Sequence, residues 1–180
     1  MKNSVLKVWN IIEKIAYAIL DFLFKMLHKE LSEETFQAFM QFVKFGIVGV
    51  SNTIVSYVLY VVSLIIFQKN HLIPKVDYIV AQVIAFVLSV LWSFYWNNKM
   101  VFVVEEGKQR SIWRALLKTY VSYSFTGLFL NSILLVLWVK LFHISEFLGP
   151  IINLAINVPI NFLINKFWAF KTTDLSSENF

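Results

Sequence analysis

The sequence predicts an all-α integral membrane protein: four transmembrane helices arranged as two parallel-repeat helical hairpins, preceded by an N-terminal amphipathic interfacial helix. Three observations carry this. Of the 180 residues, 58% are apolar and 17% aromatic against only 15% charged, with a mean hydropathy of +0.68, where a soluble domain carries about 25% charge. Four apolar runs each reach the roughly 20 residues needed to cross about 30 Å of hydrocarbon. The chain also matches itself when slid by 68 positions, which lays Phe94, Asn97 and Phe102 on Phe162, Asn165 and Phe170.

The N-terminal region, residues 1–31, resembles a signal peptide only superficially, because Glu13, Lys14, Asp21 and Lys25 interrupt its apolar run and no small-residue cleavage site follows. On a helical wheel Lys7, Asn10, Glu13, Lys14, Tyr17, Asp21 and Lys25 gather opposite Val8, Trp9, Ile12, Ile15, Ile19, Phe22 and Met26. That pattern suits a helix lying among headgroups. Ser32 is placed to cap the next helix, with Glu33 and Glu34 at the positive end of its dipole.

The membrane domain is expected over residues 32–171, with a cytoplasmic tail at 172–180. Span one covers residues 42–67 and ends in a turn holding Lys69, His71 and Pro74. Span two covers 78–96 and is closed by Asn97, Asn98 and Lys99, after which a polar link carries Lys108, Arg110 and Arg114. Span three covers 119–141; a second short turn holds His143, Ser145 and Glu146; span four runs from about residue 148 to 164. Thirteen of the sixteen Lys and Arg fall in the N-terminal arm, the central link and the tail, leaving Lys69, Lys75 and Lys140 for the two turns. The positive-inside rule therefore puts both termini and the link in the cytoplasm.

Span four carries the most informative chemistry. Asn153, Asn157, Asn161 and Asn165 recur every fourth residue, with Pro159 among them, in an otherwise apolar run. On a helix they draw one narrow stripe, and carboxamides in hydrocarbon need partners from other helices or from water. For one asparagine, helix-to-helix glue at about 0.6–2 kcal/mol per bond is sufficient; four in register favour a polar path. In the repeat the stripe falls on Ala85, Ser89 and Ser93, and spans one and three show polar or small faces through Gly49, Thr53, Ser56 and Tyr60 and through Tyr120, Ser124, Gly127 and Asn131. Parallel repeats of this kind recur in transporters, with the path where they meet.

Other chemistry is thin. No cysteine is present, so disulfides and thiolate sites are excluded. No Asp or Glu lies within a span, whereas proton-coupled export normally needs one. His28, His71 and His143 are scattered, giving no metal or base-nucleophile spacing, and no Gly-rich phosphate loop is present. We expect no enzyme activity, no cofactor and no nucleic-acid partner. Lys44, Lys99, Lys118 and Lys166 mark the cytoplasmic ends of the spans. Singly they read as orientation anchors; together they form a candidate cationic ring for a lipid phosphate, with Asn98 and Asn165 as donors.

The residues Phe42-Val43-Lys44-Phe45-Gly46-Ile47-Val48-Gly49, Asn52, Trp96-Asn97-Asn98-Lys99-Met100-Val101-Phe102 and Asn161-Phe162-Leu163-Ile164-Asn165-Lys166-Phe167-Trp168-Ala169-Phe170 resemble those of the GtrA-like family of small four-span proteins, with Met100 in place of its usual aromatic residue. The resemblance implies translocation of a polyprenyl-phosphate-linked monosaccharide across the cytoplasmic membrane for surface polysaccharide or teichoic acid glycosylation, in company with membrane glycosyltransferases. On that reading Lys44, Lys99, Lys166, Asn98 and Asn165 hold phosphate, and Asn52, Ser89, Ser93, Asn97, Asn153, Asn157 and Asn161 line the sugar path. Gly46 and Gly49 permit close helix approach, so a homo-oligomer is expected. The alternatives are a dimeric four-span drug or metabolite exporter, which lacks its coupling residue here, and a non-transporting partner of a glycosyltransferase that binds through the N-terminal arm.

Overall fold

A computed structural model describes residues 2–26, 28–145 and 148–174; Glu146 and the tail beyond 174 lie outside them. The described chain is mostly helical. It divides into two compact units, Met1–Lys44 and Phe45–Phe180.

In the first unit α1 (Lys2–Met26) is followed by the start of α2 (Glu33–Lys69). The Ser32 hydroxyl accepts the Thr35 amide at 3.2 Å, and Gln37 donates to Glu33 at 2.7 Å, so the expected cap forms. Within this unit Tyr17 meets Phe36 edge-on at 5.2 Å, and the Lys44 ammonium lies 5.2 Å from the Trp9 ring centre. These two pairs define an antiparallel contact made through the side of α1 that carries Trp9, Glu13 and Tyr17. The opposite stripe, Ile11, Ile15, Ile19, Phe22 and Met26, stays exposed.

In the second unit α3 (Asp77–Trp96) runs directly into a π turn, Asn97–Val101. The third long helix is α4 (Ile112–Ser124), a π turn (Phe125–Leu130), α5 (Asn131–Val136) and a further π turn (Leu137–Leu141). The last is α6 (Gly149–Ile164), followed by a fourth π turn, Asn165–Ala169. Among the described residues three helical runs, Glu33–Lys69, Asp77–Val101 and Ile112–Leu141, are long and apolar enough to cross a membrane; at 1.5 Å per residue they measure about 55, 37 and 45 Å. Lys108–Gln109 (β1) and Thr173–Asp174 (β2) add a short antiparallel ribbon in which Lys108 faces Asp174 and Gln109 faces Thr173.

Contacts order the helices of this unit. Trp92 of α3 donates to Ser51 of α2 at 2.8 Å, Tyr120 of α4 donates to the Val87 carbonyl of α3 at 2.7 Å, and Phe45 of α2 packs edge-on against Phe162 of α6 at 5.4 Å. The three histidines all stop helices. His28, His71 and His143 take left-handed backbone conformations (φ 54°, 53° and 52°). Lys29 then donates to the Phe24 carbonyl and Leu72 to that of Phe67, both at 2.9 Å, the longer bond of a Schellman ending.

One expectation changes. The inward polar face of the third helix is Thr119, Ser122 and Thr126, all buried, while Gly127 is exposed. The expected face through Tyr120, Ser124 and Gly127 assumed an unbroken α-helix. The π turn at Phe125–Leu130 holds an additional residue and resets the register, so that Asn131, five residues after Thr126, again faces α6.

Candidate functional site

The buried face of α3 is the stripe Ala81, Ala85, Ser89, Ser93 and Asn97, the set that the 68-position repeat lays on the stripe of α6. Small side chains here let α4 approach closely. The Ser93 and Tyr123 hydroxyls are 2.6 Å apart, and Asn97 Nδ2 donates to Ser93 at 3.1 Å and to Tyr123 at 3.3 Å. Ser89 donates to its own helix, at the Phe86 carbonyl.

On α6 the asparagines fall into two clusters. Towards the helix N-terminus Asn153 Nδ2 donates to the carbonyl and side-chain oxygen of Asn131 at 2.9 and 2.7 Å, and its Oδ1 accepts Trp138 Nε1 at 2.7 Å. Asn157 reaches the same Asn131 oxygen at 3.3 Å. Towards the other end Ser122 donates to Asn161 Oδ1 at 2.8 Å, and Asn165 Nδ2 donates to Ser122, Asn161 Oδ1 and the Asn161 carbonyl at 3.1, 2.9 and 2.8 Å. Asn153 is therefore saturated as an interhelical clasp. Gly149 sits at the same contact, where a Cβ would come 2.6 Å from Leu135 Cδ1.

The carboxamide oxygens of Asn52, Asn97, Asn157 and Asn165, with Trp96 Nε1, are buried without a hydrogen-bond partner among the described residues. Asn97 and Asn165 are both 0% exposed and each opens a π turn, closed by Phe102 N to Asn97 O and by Phe170 N to Asn165 O, both at 2.8 Å. The repeat is therefore structural as well as sequential. Its phenylalanines interlock crosswise: Phe94 stacks on Phe170 at 5.5 Å, Phe102 on Phe162 at 5.9 Å, and Phe102 on Phe170 at 4.7 Å.

The span-end cations rest on aromatic faces. Lys99 Nζ lies 5.5 Å from the Tyr95 ring centre and 5.9 Å from that of Trp96, and Lys166 Nζ lies 5.6 and 5.8 Å from those of Phe162 and Phe167. Lys118 donates to the Trp168 carbonyl at 3.2 Å. Lys44 belongs to the N-terminal unit, over Trp9. The ion pairs among the described residues are Lys25 with Asp21 and Lys108 with Glu105, so none of these span-end lysines is neutralised by an acid there. No group of three His, Asp or Glu that could hold a metal occurs among the described residues.

Sequence reasoning missed Arg110, Ser122, Tyr123 and Trp138. Arg110 sits in the polar link, where a basic residue reads as an orientation signal. Instead its Nη1 donates to the Phe170 carbonyl at 2.9 Å, its Nη2 donates to the Phe102 carbonyl at 2.8 Å and to Asn98 Oδ1, and its guanidinium carbon lies 5.0 Å from the Phe170 ring centre. Burial pulls its pKa below the ordinary arginine value.

The GtrA/DPMS transmembrane domain matches residues 44–170, a range that includes both π-turn asparagines and the closing Phe170. The chain is 30% identical over 127 residues to the uncharacterized membrane protein YwcD of Bacillus subtilis (strain 168), a match covering 71% of this chain and 94% of that protein. No solved structure matches. With the paired π turns and most of the apolar helical length inside the matched region, the chain belongs to the GtrA/DPMS transmembrane-domain family, the family its sequence resembled.

Proposed function

We propose that this protein moves a polyprenyl-phosphate-linked monosaccharide across the cytoplasmic membrane, supplying glycosyltransferases that modify surface polysaccharide or teichoic acid. The supporting observation is the set of buried carboxamide oxygens at Asn52, Asn97, Asn157 and Asn165, acceptors that lack a donor among the described residues. An unmatched acceptor in a low-dielectric interior is costly. A sugar brings hydroxyl donors, and a few bonds of this kind can hold it without trapping it. Pro159, inside α6, withdraws the amide that would otherwise bond the Ala155 carbonyl and adds one more acceptor to this helix.

In this reading Lys99, Lys166 and Asn98 attract the phosphate at the inner leaflet. The sugar passes along Asn52, Ser89, Ser93, Asn97, Asn157 and Asn161, with Asn153 holding the wall, and the prenyl chain stays in lipid. Gly149–Ala169 completes a fourth span, both termini face the cytoplasm, and α1 lies at the interface with its exposed Ile11, Ile15, Ile19, Phe22 and Met26 towards the acyl boundary. A Cβ added at Gly46 or Gly49 would meet nothing within 4 Å in this chain, which leaves that face open to a second copy. Transport in this reading is passive, since residues 42–67, 78–96, 119–141 and 148–164 contain no carboxylate to couple protons.

The test is flipping of a polyprenyl-phosphate-sugar in proteoliposomes. Asn52→Leu combined with Asn157→Leu is expected to cut the rate at least tenfold while the folded fraction is unchanged. A double variant flipping at the parent rate would remove the polar path.

A further inference from the structure

We propose that Arg110 is a positioning residue for translocation: a releasable latch that holds the cytoplasmic ends of the two repeats together over the polar interior. The proposal rests on the transport reading above, and it extends that reading to a residue outside the spans.

The two carbonyls that Arg110 takes, Phe102 O and Phe170 O, are equivalent positions of the repeat. Each lies just past the π turn that ends its helix, where a carbonyl no longer receives an intrahelical donor. Two separate caps would satisfy them equally well. A single guanidinium fork takes both, so the two repeat ends are fixed to each other rather than merely finished. The third acceptor, Asn98 Oδ1, extends the same grip to the turn that carries Lys99.

The surroundings mark this point as a closure. The guanidinium lies over the Phe170 ring, which stacks on that of Phe102, and the ribbon pairs Gln109 with Thr173 immediately beside it. One π turn further into the bundle lie Asn97 and Asn165, whose side-chain oxygens have no partner among the described residues. A headgroup reaching those oxygens from this end must pass the clasp.

The chemistry of the grip favours release. A guanidinium fixed permanently in a protein interior is ordinarily paired with a carboxylate, and separating such a buried pair is strongly opposed because it leaves the partner's charge uncompensated. Here all three acceptors are neutral, and Arg110 Nε is buried with no partner among the described residues. The latch thus keeps its full charge and one unused donor, and no acid among the described residues opposes its departure.

The chain has no cysteine, so an introduced pair reports cleanly. In the full-length protein carrying Gln109→Cys and Thr173→Cys, oxidation closes this end covalently. Oxidised proteoliposomes are expected to flip sugar lipid at least tenfold more slowly than reduced ones, with recovery on adding reductant. A rate unchanged by oxidation would overturn the latch. A second arm is independent of transport: adding Arg110→Gln to the same pair is expected to slow disulfide formation at least fivefold, and Arg110→Lys to slow it less, at melting temperatures close to the parent's. Equal disulfide rates for Arg110 and Arg110→Gln would also overturn the proposal. If the reduced parent pair does not flip but the disulfide rates separate as expected, the transport reading fails and the clasp stands.

Discussion

Replacing Asn153 by leucine tests the clasp between α5 and α6. Asn153 is 1% exposed and makes three hydrogen bonds, two to Asn131 and one from Trp138. Interhelical bonds in membrane proteins average about 0.6 kcal/mol with a ceiling near 1.7, so the three together are worth about 2 kcal/mol and at most about 5. Leucine fills the volume and opens no large cavity, and the loss therefore reads hydrogen bonding rather than packing. A loss of about 2 kcal/mol shifts the folding equilibrium about 30-fold. The assay is reversible unfolding in mixed detergent micelles of Asn153→Leu, Asn131→Leu and the double variant. The cycle is expected to give a coupling of about 1 kcal/mol. A single-variant cost under about 0.5 kcal/mol together with a coupling under about 0.3 would refute the clasp. Transport supplies the complementary readout: per folded molecule, Asn153→Leu should flip within twofold of the parent.

Two further changes probe the rest of the bundle. Tyr123→Phe removes the hydroxyl that Ser93 and Asn97 share and should cost about 1–2 kcal/mol of stability; an unchanged thermal midpoint in detergent would show that the α3–α4 contact does not depend on it. Ile73 is a β-branched residue held at φ 44° and 45% exposed, a conformation that suits glycine. Ile73→Gly should therefore raise stability by about 1 kcal/mol in the same assay, and destabilisation would refute the strain.

The long helices, the Ser32 cap and the 68-position repeat could be read from the sequence, because each depends on local pattern. Hydrophobic run length and residue spacing need no knowledge of neighbours. The repeat predicted that Asn97 and Asn165 occupy equivalent places, and they do, down to the π turn that each opens. What could not be read was partnership across helices. The spacing of the asparagine stripe could not show that Asn153 finds Asn131 while Asn161 finds Ser122, since that depends on which helix lies opposite at each depth. Arg110 was hidden for a different reason. A lone basic residue in a link carries no pattern, and only the meeting of two distant helix ends gives it acceptors. The inward face of the third helix failed at Phe125–Leu130, where the sequence shows no proline or glycine pair to announce a change of winding.

That extra residue at Phe125–Leu130 divides the third helix into two independently phased halves. The half before it addresses Asn161 and Asn165 through Ser122, and the half after it addresses Asn153 and Asn157 through Asn131. Deleting one residue inside the turn would leave composition and length almost untouched, yet would twist everything downstream by about 100° relative to everything upstream. Either set of contacts could then form, but not both, so one missing residue would disturb this bundle more than most side-chain exchanges.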